Sequence, residues 1–221
     1  MWLKTFRPAM AIVVFAAACG GGTTTDTLAL GAGADTPEAA VRQLVGYLNT
    51  PDFDAASSLV FPGQAALASL AEGATFAQVA AALNSGDRSV AANFWSGFGQ
   101  GAGVLLTGQL TAAVGQTLNE GGVEFQTVVV TLDDGGTRQM VTRSHDGYRI
   151  DLFASFGAGI ADKMILPVER LLSAQTDDAA TILPALREIV PSLLVASRQP
   201  DLSPQGVQDL LQLVELITRI N

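Results

Sequence analysis

The run Val123-Glu124-Phe125-Gln126-Thr127-Val128-Val129-Val130-Thr131-Leu132 decides the fold class of this chain. Its β-branched and aromatic residues suit a pleated strand, and Val123, Phe125 and Val129 share one face, opposite Glu124 and Gln126. Asp133-Asp134-Gly135-Gly136 follows with turn chemistry, and residues 137–144 resume as a strand. His145-Asp146-Gly147 turns again into residues 148–153, where Tyr148, Ile150 and Leu152 alternate with Arg149 and Asp151. Upstream, residues 104–118 form an earlier β run, joined to the first by Asn119-Glu120-Gly121-Gly122. Loops this short between successive strands predict a four-stranded antiparallel meander with one face buried by helices.

Helical patterns flank the meander. Thr36 can cap a helix, Pro37 fits its first position, and Val41, Leu44, Val45 and Leu48 make one apolar stripe. Asp52 opens a second helix with Phe53, Ala56 and Leu59 inward, stopped near Pro62-Gly63. Residues 64–72 and 76–83 are two more, closed by Gly73 and Gly86. The glycine-spaced stretch from Phe94 to Gly103 reads as a hinge or tight turn into the sheet. It lacks the strand-before, helix-after context of a dinucleotide loop. After the meander, Ile160, Met164, Val168 and Leu171 form a stripe that Pro167 is expected to kink. Residues 177–195 are a second run, interrupted by Pro184 and Pro191. Ser203-Pro204 opens a third, where Val207, Leu210, Leu211, Val214 and Ile217, widened by Leu213, Leu216 and Ile220, predict cover on more than one side. The fold class is therefore α+β: N-terminal helices on an antiparallel meander, with a C-terminal helical extension.

The N-terminus carries a different signal. Lys4 and Arg7 precede the short apolar stretch Ala9-Met10-Ala11-Ile12-Val13-Val14-Phe15-Ala16-Ala17-Ala18. As a helix these residues span about 15 Å, half of a bilayer's hydrocarbon core, which argues against a permanent membrane span. Cys19 follows directly and is the only cysteine. The segment resembles a bacterial lipoprotein signal with the lipobox Ala16-Ala17-Ala18-Cys19, although Ala16 stands where that pattern usually has a bulky aliphatic residue. The resemblance implies acylation of the Cys19 thiol and anchoring at the outer face of a bacterial membrane. An ordinary secretory signal, cut after Ala18 and leaving Cys19 unmodified, is the alternative.

Cleavage before Cys19 removes two cations and no acid, so the net charge moves from −9 to −11. Such a balance argues against nucleic acid as a partner and against a polybasic grip on anionic lipid. With one cysteine, no intrachain disulfide can form. The organisation reads as signal peptide 1–18, flexible tether 19–34, α+β domain 35–156 and helical extension 157–221.

Thr36-Pro37-Glu38-Ala39-Ala40-Val41, then Leu48-Asn49 and Asp52-Phe53-Asp54-Ala55-Ala56, resemble the opening of nuclear-transport-factor-2-like domains found in bacterial lipoproteins. The hairpin ending in His145-Asp146-Gly147-Tyr148-Arg149-Ile150-Asp151-Leu152 is similar to their last strand. The resemblance covers roughly residues 35–155 and implies a curved sheet whose concave face, roofed by helices, encloses a conical pocket. Two segments depart from the family, the helical material at 64–100 and the tail after 155; either is able to fill that pocket.

No catalytic constellation stands out. His145 is the only histidine and sits in a turn, where a solvated loop residue is the default reading. Asp151 should project to the sheet face opposite Tyr148 and Ile150; enzymes of the related superfamily place acids inside the cone. Asp133-Asp134 and Asp177-Asp178 have turn and helix-cap positions rather than the spacing of a calcium loop, and no metal or cofactor site is expected. Trp95 with Phe94 and Phe98 reads as core, with an aromatic pocket wall as the alternative. The leading expectation is a lipid-anchored, non-catalytic envelope protein that binds a small apolar ligand or a protein partner. Alternatives are an isomerase, dehydratase or cyclase using Asp151 or His145 as base, and a structural component of an envelope complex. Replacing the thiol (Cys19→Ser) is expected to move the protein from the membrane fraction to the soluble one. Mass spectrometry of the unsubstituted protein should find acyl chains on Cys19, and an unacylated Cys19 there would remove the anchor.

Overall fold

The computed structural model describes residues 32–100, 110–132 and 135–219. The signal, Cys19, the tether as far as residue 31, residues 101–109 and Asp133-Asp134 lie outside them. Helix α1 (Pro37–Asn49) starts where its cap demands: Thr36 Oγ1 accepts the Ala39 N–H at 3.2 Å, and Pro37 occupies a position that needs no donor. Helix α2 (Phe53–Leu59) is capped by Asp52, which accepts the Ala55 N–H at 3.1 Å. Helix α3 (Gln64–Ala68) tightens into a 3-10 turn (Ser69–Glu72), and Gly73 ends it with φ 85°. Helix α4 (Phe76–Ser85) begins in a reciprocal capping box between Thr75 and Gln78 and stops at Gly86.

The glycine-spaced stretch is a helix as far as it is described, not a turn. Helix α5 (Ala92–Gln100) forms because Phe94, Trp95 and Phe98 fall on one side and are buried together, which outweighs the glycine at 97. Trp95 is fully buried, and its indole Nε1–H donates to Ser57 Oγ at 2.7 Å, satisfying the one polar atom it carries inward.

The sheet has four strands: β1 (Thr111–Glu120), β2 (Val123–Thr131), β3 (Thr137–Ser144) and β4 (Tyr148–Ile150), paired antiparallel in the order β1-β2-β3-β4. Residues 104–109 of the expected first strand lie outside the described residues. Gly33 and Ala34, placed by sequence in the tether, are bound to the fold. Ala34 pairs with Tyr148 through hydrogen bonds of 2.9 and 2.7 Å. Gly33 lies so close to Gly147 that a Cβ on it would sit 2.7 Å from the Gly147 backbone.

Two expectations about the sheet change. The last strand ends at Ile150, because Asp151 caps a short helix α6 (Leu152–Phe156) by accepting the Ala154 N–H at 2.9 Å. Helices pack on both faces of the sheet, fully on one and in part on the other. Helix α1 lies across all four strands on the face of Val128, Val130, Met140 and Ile150. On the other face Phe125 and Val141 pack with Ala154 of α6 and Val195 of helix α9 (Val190–Ala196).

The C-terminal segment adds α7 (Ala161–Ser173), α8 (Asp177–Glu188), α9 and α10 (Pro204–Thr218). Pro167 sits inside α7 and Pro184 inside α8, whereas Pro191 opens α9, which is bent 45° from α8. Helix α8 packs on α4 and α10 on α7, so one apolar cluster runs from Ala34 through Ile182 and Leu186 to Ile217. Helix α10 is met by α7, α8 and α9: Leu210, Leu213 and Ile217 are buried and Val214 and Leu216 partly so, while Leu211 stays 47% exposed. Among the described residues no single helix is long and apolar enough to cross a membrane; the bent α8–α9 pair meets that test only by length and composition, and its Ile182, Leu186 and Leu193 are buried.

Because that cluster is continuous, deleting residues 158–221 is expected to expose the α4 and α5 faces and yield an aggregated product on size-exclusion chromatography. A monodisperse, cooperatively folding truncated chain would show that the tail is an appendage.

Candidate functional site

On the inner face of the sheet, where the resemblance implies a conical pocket, side chains of α1 pack in the core with Val128, Val130, Met140 and Ile150. An apolar cavity lies at the seam between the 3-10 turn Ser69–Glu72, α5 and the start of the C-terminal segment. Its volume is about 340 Å³, within the range of small-molecule sites.

Three phenylalanines shape it. Phe94 and Phe98 come from one side of α5, with ring centroids 5.7 Å apart, and Phe156 at the end of α6 meets Phe98 edge-on at 4.8 Å. Trp95 backs Phe98 at 5.6 Å and holds it in place. Ile160 and Leu202 extend the apolar lining. The polar groups are few. Lys163 Nζ donates to Glu72 Oε1 at 2.8 Å, joining α7 to the 3-10 turn beside the cavity. Gly97 makes room for that carboxylate: a Cβ there would lie 3.1 Å from Glu72 Oε2. Gln199 also lines the space and donates one amide N–H to the Ala154 carbonyl at 2.6 Å. The arrangement offers an aromatic wall and one ion pair at its edge, Lys163 half exposed, which suits holding an apolar molecule.

A second, more polar cleft of about 290 Å³ opens between the α2–α3 junction, the end of α4 and the β3–β4 turn. His145 stands at it, exposed, with its ring edge-on to Phe61 at 5.5 Å. The nearby hydroxyls are already engaged: Ser57 Oγ donates to Phe53 O and Ser58 Oγ to Ala55 O. Arg149, buried, grips Asp146 with two bonds of 2.7 and 2.8 Å and also donates to the Ser58 carbonyl. The Arg149 hydrogen bonds hold the Asp146 carboxyl down to about 2. This constellation locks the turn against α2.

Asp151 is fully buried, but it lines neither cavity. Its Oδ1 accepts the Ala154 N–H at 2.9 Å; its Oδ2 accepts the Ser192 hydroxyl at 2.8 Å and faces Arg143 at 3.5 Å. Burial pushes its carboxyl up, against those hydrogen bonds and the Arg143 charge. Arg143 is itself stacked 3.7 Å from the centroid of Phe61. Asp151 and His145, the two candidate bases, are therefore not brought to a common site. Asp177 and Asp178 stand in the first turn of α8, where they complement the helix dipole. Cys19 lies outside the described residues. Among the described residues no group of three or more His, Cys, Asp or Glu is gathered to hold a metal ion.

Sequence reading took Phe94, Trp95 and Phe98 as core, with a pocket wall as the alternative; all three are buried in the core, and Phe94 and Phe98 also line the cavity. It missed Glu72, Phe156, Lys163 and Gln199, which come from segments far apart in the chain and carry no local pattern. Compared with known protein families, curated proteins and solved structures, the chain matches none of them.

The Asp146–Arg149 pair carries a pH dependence of definite sign. A folded-state value of about 2 against an ordinary 3.8 means stability that is present above pH 3.8 and lost as pH falls through 2. Asp146→Asn is expected to cost about 1 kcal/mol near neutrality, a modest figure because the carboxylate is half exposed. Acid titration of the variant, followed by circular dichroism, should show a flatter limb between those pH values; an unchanged limb would show that the pair contributes nothing.

Proposed function

We propose that this chain is a lipid-anchored protein of the bacterial cell envelope, tethered through Cys19, that binds a small apolar ligand without transforming it. The observation that carries the ligand reading is the cavity of about 340 Å³ walled by Phe94, Phe98 and Phe156. The location rests on the apolar stretch ending at Cys19 and the chain's resemblance to lipoprotein signals. The likeness to nuclear-transport-factor-2-like domains is kept as a likeness of layout, helices first and a meander after. In this reading the ligand site lies at the seam with the tail instead of in the concavity of the sheet.

A catalytic reading has less support. Asp151, the acid it would use, has its oxygens occupied by Ala154, Ser192 and Arg143, and the geometry gives His145 no activated hydroxyl. An assembly role is favoured by one observation: Leu166 on α7 and Leu211 on α10 are 51% and 47% exposed. Nucleic acid is not proposed as a partner of so acidic a chain.

Native mass spectrometry of protein extracted gently from membranes is expected to retain an apolar small molecule, and the uncharged fluorophore phenylnaphthylamine should bind the emptied site. Phe156→Glu places a charge on the partly exposed wall and is expected to weaken fluorophore binding by at least about tenfold, given the cost of desolvating a carboxylate. Recovery of bare protein, with fluorophore binding indifferent to this substitution, would end the ligand reading.

A further inference from the structure

Resting on the apolar-ligand reading above, we propose that Glu72 sets the cavity's selectivity: by occupying Lys163 it makes the site take uncharged amphiphiles, alcohols or neutral esters, and refuse carboxylates of the same chain length. Among the described residues Lys163 is the only cationic side chain lining the cavity, and so the group there best able to attract an anionic head. Its Nζ is held at 2.8 Å by Glu72 Oε1. A carboxylate ligand must therefore displace Glu72 or sit beside it. Displacement leaves one carboxylate without its cation, and sitting beside it sets two like charges together next to an aromatic wall. A hydroxyl meets neither cost and can hydrogen-bond the Gln199 amide.

The position of Glu72 is built in. Its backbone belongs to the 3-10 turn closed by Gly73, and Gly97 leaves open the space its carboxylate fills, so the acid is backed by α5 on one side and tied to α7 on the other. The acidic balance of the whole chain, −9, works in the same direction by disfavouring the approach of anions.

The test uses the full chain carrying Cys19→Ser, so that no acyl chain competes, titrated calorimetrically at pH 7 with octanol and with octanoate. Octanol is expected to bind at least about tenfold tighter than octanoate, the size of one charge-assisted hydrogen bond gained or lost. In Glu72→Gln the octanoate-to-octanol affinity ratio should rise about tenfold or more, because Lys163 is released. In the double variant Glu72→Gln, Lys163→Gln that gain should vanish. A wild-type ratio near one, or a ratio unmoved by Glu72→Gln, overturns this inference while leaving the cavity a ligand site. Failure of both probes to bind the wild type overturns the ligand reading and this selectivity with it.

Discussion

The carboxylate of Asp151 is buried without exposure, and the surrounding structure is arranged so that each of its oxygens is used. One accepts from the first turn of α6, the other from Ser192 on α9 and from Arg143 on β3. The backbone around it is fixed as well. The Asp151 N–H donates to Val141 O at 2.8 Å, and the next N–H, of Leu152, donates to Gln64 Oε1 at 2.6 Å. A charge in such a place is costly unless hydrogen-bonded, so the elements that supply its partners must be present together. Sheet, α3, α6 and α9 meet at this point. The direction in which the chain leaves the sheet, and hence the position of Phe156, follows from it.

That exit decides where a ligand has room. Helix α1 lies across all four strands and fills the inner face with apolar side chains, while α6 and α9 cover part of the opposite face. The aromatic cavity is at the seam, where the returning C-terminal chain closes on α5. Two rigid aromatic surfaces met by a turn of small residues, Gly157–Gly159, do not interlock completely, and a cavity is left. The ion pair Glu72–Lys163 spans the two sides and ties the seam together.

Much of the architecture was legible because its signals are local. Thr36, Asp52 and Ser203 each accept the N–H three residues on, so helix starts could be placed from a few residues. The strands β2 and β3 and the order of the meander followed from period-two runs and short turns. The errors have equally specific causes. Helix α5 was hidden by its glycines, whose effect on helix formation is outweighed by burial of Phe94, Trp95 and Phe98. Helix α6 was hidden because Leu152 continues the alternation of Tyr148 and Ile150, and a short apolar run cannot reveal that Asp151 has turned into a cap. The second covered sheet face was missed because Phe125 and Val141 find their partners only when α9 returns.

The sequence by itself determined the kinds of element apart from α5 and α6, their order, the acidity of the chain and the single thiol at Cys19. These depend on periodicity, caps and composition, which act within a few residues. The tertiary structure alone decided the burial of Asp151, the filling of the sheet's inner face and the position of the aromatic cavity. The contacts behind those outcomes join residues 41 apart for Asp151 and Ser192, 88 for Gln64 and Leu152, and 91 for Glu72 and Lys163. No local propensity encodes such pairs; they arise when distant apolar surfaces pack and the polar groups carried inward must find partners there.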